Sequence, residues 1–160
     1  MTDVARHDAR KPLRLRFSST LPLSYRDELE RLVFFNPAQS LYREPLLASV
    51  NQYGVPSIVE DGPHLRLAVP AFRAIQSLYA LDEAEEHEVL AGVAMFVRET
   101  ETTLLVLHLA LHETYAAGGD KAGEWLGARM ISALRGICRQ THGLNALRVL
   151  YPKPSLLVVR

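Results

Sequence analysis

Three apolar runs, residues 75–81 (IQSLYAL), 89–97 (VLAGVAMFV) and 104–112 (LLVLHLALH), are separated only by DEAEEHE and RETETT. Segments that short cannot hold a crossover helix, so consecutive strands must reverse direction and form an antiparallel meander. The second and third runs are apolar on both faces. That pattern predicts strands inside a sheet that is covered on two sides.

The segments before the meander are less regular. In residues 13–19 (LRLRFSS) Leu13, Leu15 and Phe17 alternate with Arg14 and Arg16, as in a half-buried strand. Ser24 followed by Asp27 is the S-x-x-D form of a helix start, Leu29, Leu32 and Val33 mark one helical face, and Asn36-Pro37 ends it. Residues 39–53 are weakly helical, with Pro45 either opening a turn of helix or kinking one. Ile58-Val59, the turn residues Glu60-Asp61-Gly62-Pro63, and then Leu65, Leu67 and Val69 predict a hairpin or two irregular extended pieces.

After the loop AAGGD, residues 121–141 carry Leu126, Met130, Leu134, Ile137 and Cys138 at helical spacing, with Arg129, Arg135 and Arg139 on the other surface. This predicts a long amphipathic helix, with Gly143 in the left-handed position past its last turn. Residues 146–150 read as another apolar strand. Strand, helix and strand in succession imply a right-handed crossover, which makes the flanking strands parallel. The tail KPSLLVVR adds one more strand. The expected fold is α/β in the broad sense, an α+β arrangement with a mixed, mainly antiparallel central sheet flanked by helices.

Composition narrows the classes further. A chain of 160 residues with 48% hydrophobic and 22% charged content is long enough for one domain with a core, and it excludes disorder, collagen and coiled coil as the main state. Residues 1–12 read as a flexible leader ahead of a single domain spanning residues 13–160. Eighteen basic residues balance eighteen acidic ones, so there is no general pull on phosphate backbones and no nucleic-acid partner is expected. No run approaches the roughly 20 apolar residues of a membrane helix, and the first residues have no apolar signal core, so the expected compartment is the cytoplasm. The single cysteine, Cys138, predicts a buried thiol rather than a disulfide or a zinc cluster.

The order of strand, helices, antiparallel strands, loop, helix and strand resembles the GNAT acyltransferase superfamily. The likeness is sharpest over residues 89–151, where VLAGVAMFVRETETTLLVLHLALHETY precedes AGEWLGARMISALRGICRQTHGLNALRVLY. The resemblance implies a GNAT-like acyl-CoA N-acyltransferase that moves an acyl group, acetyl first among them, from acyl-CoA to an amine of a small molecule or peptide. It also implies that the pantetheine arm lies in a splay between two parallel strands, against Leu109, Ala110 and Leu111. The pyrophosphate would sit on the turn made by Gly118, Gly119, Gly123, Leu126, Gly127 and Ala128, where a helix N-terminus offers free N–H groups.

Two departures from the family pattern set up a rival reading. In the family's Q/R-x-x-G-x-G/A turn, Trp125 falls where the earlier glycine belongs and Ala122 where the Gln or Arg belongs. Only nine residues follow Tyr151, where the family continues through a helix and two strands. The rival is a degenerate GNAT-like binding or assembly module that does not use acyl-CoA, with Trp125 filling the cofactor path. Residues 155–159 would then complete the sheet of a neighbouring subunit, giving a homodimer. A third reading is a related synthase that takes its acyl group from a carrier protein.

The thioester is already activated, so amine acylation chiefly needs a proton acceptor and positioning. Glu113 and His112, at the end of the third meander run, are the candidate bases, and Tyr151 or Tyr115 the candidate acid toward the departing thiolate. His108 and His112 share a face but stand roughly 13 Å apart along a strand, too far for one metal, so no metal site is expected. His108 reads more plainly as a core histidine, Trp125 as a packing residue, the three arginines as a solvated helix face, and residues 82–88 as a soluble hairpin tip.

Overall fold

The computed structural model describes residues 13–84, 86–150 and 155–160. The leader assigned to residues 1–12, and Tyr151, lie outside them.

The meander forms as its spacing requires. Strands β5 (Gln76–Asp82), β6 (Val89–Arg98) and β7 (Thr103–Leu111) pair antiparallel in sequence order. Strand β1 (Leu15–Ser18) pairs antiparallel with β5 and closes that side of the sheet. Leu13 and Leu15 pack inward as alternation predicts, whereas Phe17 is 37% exposed. On the other side β8 (Ala146–Val149) runs parallel to β7, and β9 (Ser155–Val158) pairs antiparallel with β8. The result is one six-stranded, mostly antiparallel sheet in the order β1-β5-β6-β7-β8-β9. The tail strand thus pairs with β8 on one side and forms the edge of the sheet.

Both faces of this sheet are covered. Helix α3 (Leu126–Gln140) lies on one face, burying Leu126, Met130, Leu134 and Cys138 against Leu104, Val106, Leu109 and Leu147. The other face carries α1 (Arg26–Phe34), α2 (Arg43–Tyr53) and a small second sheet, in which β2 (Leu21–Pro22), β4 (His64–Ala68) and β3 (Ser57–Asp61) lie side by side. Leu29, Leu32, Val33 and Tyr53 meet Leu65, Leu67, Tyr79, Val93, Leu105 and Leu107 there. Period-two alternation divides the apolar side chains of β6 and β7 between these two cores, which is why both strands read as unbroken apolar runs.

Local departures have local causes. Ser24 caps nothing: it sits in a single 3-10 turn (Leu23–Tyr25), and α1 starts at Arg26 with no side-chain cap. Asn36 ends α1 as expected, and its Oδ1 accepts the Ala38 N–H at 3.1 Å to open a 3-10 run over Pro37–Tyr42. Pro45 falls in the first turn of α2, where its missing N–H costs nothing. Glu60 and Asp61 belong to β3 and only Gly62-Pro63 make the turn.

Helix α3 begins at Leu126 rather than Lys121. Ala122–Glu124 form a 3-10 turn, and Trp125 adopts a left-handed conformation, φ 56° and ψ 43°, that interrupts the helical run. The first helical bond runs from the Arg129 N–H to the Trp125 carbonyl at 3.0 Å. At the far end Gly143 has φ 86°, the left-handed conformation expected of it. No helix among the described residues is long and apolar enough to cross a membrane.

Candidate functional site

Strand β7 outruns its parallel partner. Thr103 to Val106 pair with Ala146 to Val149, and the Leu150 N–H still reaches the Val106 carbonyl at 3.2 Å. Beyond that point β7 continues to Leu111 paired only with β6. A bulge marks the divergence: Phe96 opposes Val106 while Met95 opposes His108, leaving Leu107 as the extra residue.

Past the bulge, the ladder decides which backbone groups face the opening. The His112 N–H bonds to the Ala91 carbonyl at 2.8 Å, so His112, Ala110 and His108 turn their backbone groups toward β6. Leu109 and Leu111 therefore turn theirs away from β6, toward the side that β8 has left. The Leu111 carbonyl is met there by Asn36 Nδ2 at 2.6 Å.

Beside this edge lies a cavity of about 360 Å³. Leu109, Ala110 and Leu111 of β7, Gly127 and Ile131 of α3, Val149 of β8 and Leu157 of β9 form its apolar wall, closed by Ala38, Ala116 and Ala117. Asn36, Tyr42 and Ser155 add the polar side chains, and no charged residue lines it among those described. At Gly127 a Cβ would stand 3.4 Å from Leu111 Cδ1, an ordinary van der Waals contact. The first turn of α3 has no side-chain cap, so the N–H groups that open it are not engaged by one.

Through Ala38, Ala116 and Ala117 the cavity adjoins a broad open cleft of about 580 Å³, whose wall includes Glu113, Asp120, Gly118, Gly119 and Leu41. A third cleft of about 240 Å³ joins Glu113 and His112 to Arg31, Phe35 and Asn36. Glu113 is exposed and stands at the meeting of the two clefts. His112 is half-buried; its Nδ1 accepts the Thr114 N–H at 3.2 Å, and its ring lies edge-on to Tyr115 with centroids 6.3 Å apart.

The residues singled out in the sequence thus separate into groups. Leu109, Ala110, Leu111 and Gly127 line one cavity, while Gly118 and Gly119 line the cleft beside it. Gly119 is there for packing, since a Cβ would fall 2.2 Å from the Glu113 carbonyl oxygen. Leu126 is fully buried under α3, and Gly123 and Ala128 are exposed and line neither space. Trp125 is 72% exposed and forms no part of the cavity wall, so the indole does not plug it.

Tyr115 is buried on the α3 side and absent from the cavity wall. Its hydroxyl donates to Asp82 Oδ2 at 2.5 Å, and Lys121 Nζ reaches the same oxygen at 2.8 Å while standing 5.3 Å from the Tyr115 ring centre. Burial, followed by the Asp82 carboxylate, pushes the Tyr115 phenol well above its ordinary value. Asp82, read in the sequence as part of a solvated tip, is wholly buried. Burial by itself would raise its pKa. Hydrogen bonds from Lys121, Tyr115 and the Ala84 and Arg14 N–H groups together outweigh that and hold it below the usual value.

His108 is buried on the α2 side next to Tyr53 and Leu107, and desolvation lowers its pKa to about 4, so it is neutral at pH 7. Its place fits a core histidine. Cys138 is buried under α3, where desolvation raises its pKa and keeps the thiol protonated.

Sequence reading missed Asn36 as a wall residue, along with Ile131 and Leu157. Asn36 carried only the signal of a helix stop, and Ile131 and Leu157 only their places in the predicted helix and tail strand. No protein-family model, curated protein or solved structure matches the chain.

Proposed function

We propose that the chain is a GNAT-like N-acyltransferase whose acyl thioester lies in the cavity between β7 and β8. The observation that carries this reading is the divergence of the two strands, which leaves the Leu109 and Leu111 backbone edge facing an apolar space beside Gly127. An extended thioester arm needs hydrogen-bond partners along its length and an apolar wall for the rest, and the strand edge at Leu109, short of the Leu111 carbonyl that Asn36 already holds, would supply the first. The residues fit that end of acyl-CoA. At the phosphate end, α3 opens without a side-chain cap, and Gly127, the residue of its first turn that lines the cavity, would offer its amide to the anion.

In this reaction the amine nitrogen attacks the thioester carbonyl carbon, the carbon–sulfur bond breaks, the amine gives up one proton and the thiolate leaves. Glu113, exposed at the junction of the clefts, would take the proton. Tyr115 is not available as the acid, because its hydroxyl is held by Asp82. A thiol with an ordinary pKa of about 8.5 can depart as the anion near neutral pH, so no protein acid is required.

The rival reading, a module that binds an apolar ligand without the nucleotide, is favoured by one observation: among the described residues no cation lines the cavity, and the wall of the adjoining cleft brings Glu113 and Asp120. Thermal melting with acyl-CoA separates the two. A ligand at about 100 times its Kd that binds only the folded state adds about 2.7 kcal/mol of stability. The acyltransferase reading expects that shift, and it expects Glu113→Gln to lower kcat by about 100-fold or more while the shift remains. Absence of any shift with acyl-CoA would sink it.

A further inference from the structure

We infer that the cleft lined by Arg31, Phe35, Asn36, His112 and Glu113 takes the amine acceptor as a free α-amino acid, with its amino group at Glu113 and its carboxylate at Arg31. This rests on the reading of the neighbouring cavity as an acyl-thioester site. Arg31, in the last turn of α1, and Glu113, just past β7, are the acid and the strong base of this wall among the described residues. Opposite charges in one small cleft attract, yet these two form no ion pair with each other or with any described residue. Both groups therefore keep their hydrogen-bonding capacity for a molecule that brings a cation and an anion together.

His112 adds a third polar group. Its Nδ1 accepts the Thr114 N–H at 3.2 Å, which puts the proton of the neutral ring on Nε2, and that N–H donates to no described residue. The wall thus carries two unused donor groups, suited to a carboxylate, and one unused acceptor, suited to an amine. Phe35, 75% exposed in the same wall, offers its ring to the side chain of the amino acid. The cleft holds about 240 Å³, below the roughly 300–1,000 Å³ of pockets for drug-sized ligands, so a single amino acid suits it better than a peptide. Asn36 lines both this cleft and the thioester cavity, which brings an amine at Glu113 next to the acyl end. The larger open cleft gives a carboxylate no such place, because the charged residues of its wall, among those described, are Glu113 and Asp120.

Calorimetric titration with phenylalanine, phenylalaninamide and 3-phenylpropionate tests the inference, since the second probe lacks the carboxylate and the third the amine. Phenylalanine is expected to bind about fivefold tighter than either, the size of one partly exposed charged contact. Arg31→Gln is expected to erase the advantage over phenylalaninamide, and Arg31→Lys to keep most of it. Arg31 is exposed and its side chain bonds to no described residue, so neither change disturbs the fold. Glu113→Gln is expected to erase the advantage over 3-phenylpropionate. Equal binding of the three, binding of none, or a preference for phenylalanine over its amide that survives Arg31→Gln overturns the inference; the acyltransferase reading then still stands on the melting shift with acyl-CoA. The expected preferences in a chain whose melting acyl-CoA does not shift would keep the amino-acid site and overturn the acyltransferase reading.

Discussion

The Tyr115 hydroxyl and the Asp82 carboxylate are 2.5 Å apart, both buried, and join the end of β5 to the loop that leads into α3. Lys121 closes the arrangement on the same oxygen. Tyr115→Phe removes one hydrogen bond to a charged group and is expected to cost about 1.5–3 kcal/mol. Asp82→Ala removes the buried carboxylate that Tyr115, Lys121 and the Ala84 and Arg14 N–H groups share and is expected to cost more, about 3 kcal/mol or above. Urea unfolding of both variants and of the double variant measures this, and the double variant is expected to be no worse than about the Asp82→Ala single, because the two changes share one interaction.

The same carboxylate gives an acid limit. Its folded pKa lies below the ordinary value, so its contribution is fully present above about pH 4 and is lost as the pH falls through the lower folded value. Asp82→Asn is expected to flatten the fall in stability in that range, as read by melting temperature from pH 5 down to pH 3.

His108 acts in a higher window. Its folded pKa is about 4 against an unfolded value near 6.5, so below about pH 6.5 the unfolded chain takes up a proton that the folded chain does not. Stability falls as the pH drops, by about 2 kcal/mol between pH 7.5 and pH 5 from this group alone. The variant His108→Gln is expected to lose that part of the slope when denaturant midpoints are compared at the two pH values. An unchanged slope would show that burial does not hold the imidazole neutral.

Two glycines in the candidate site should respond in opposite ways to alanine. At Gly119 a Cβ would meet two backbone carbonyl oxygens, at 2.2 and 2.5 Å, which cannot move aside without unfolding the turn. Gly119→Ala is expected to destabilise by at least about 2 kcal/mol. At Gly127 the nearest atom is 3.4 Å away and the residue is helical, so Gly127→Ala is expected to be neutral or to stabilise by up to about 1 kcal/mol. Differential scanning calorimetry of the pair checks the contrast.

Trp125 holds a left-handed backbone conformation while 72% exposed, so its side chain recovers little by packing. Trp125→Gly is expected to stabilise the chain by about 1 kcal/mol, a rise of about 2–4 °C in Tm for a chain of this size. A fall in Tm would show that the indole contributes more than its exposure suggests.

Much of the sheet was legible without coordinates because it follows from short-range rules. Charged connectors too short for a helix force β5, β6 and β7 antiparallel, period-two burial puts them between two cores, and handedness makes β7 and β8 parallel. Gly143 was legible for the same reason: one residue type takes that conformation without strain. What tertiary structure alone decided lies where two distant segments meet. Asp82 is charged and follows a strand, so its neighbours in sequence describe a solvated tip; only the return of Tyr115 and Lys121 over it makes it a buried anchor. The bulge at Leu107, the point at which β8 leaves β7, and the pairing of β9 with β8 depend on how whole elements pack, and no residue spacing encodes them. Gly127 and Leu109 share a cavity wall for that reason, while Gly123 and Ala128, equally prominent in the sequence, face solvent.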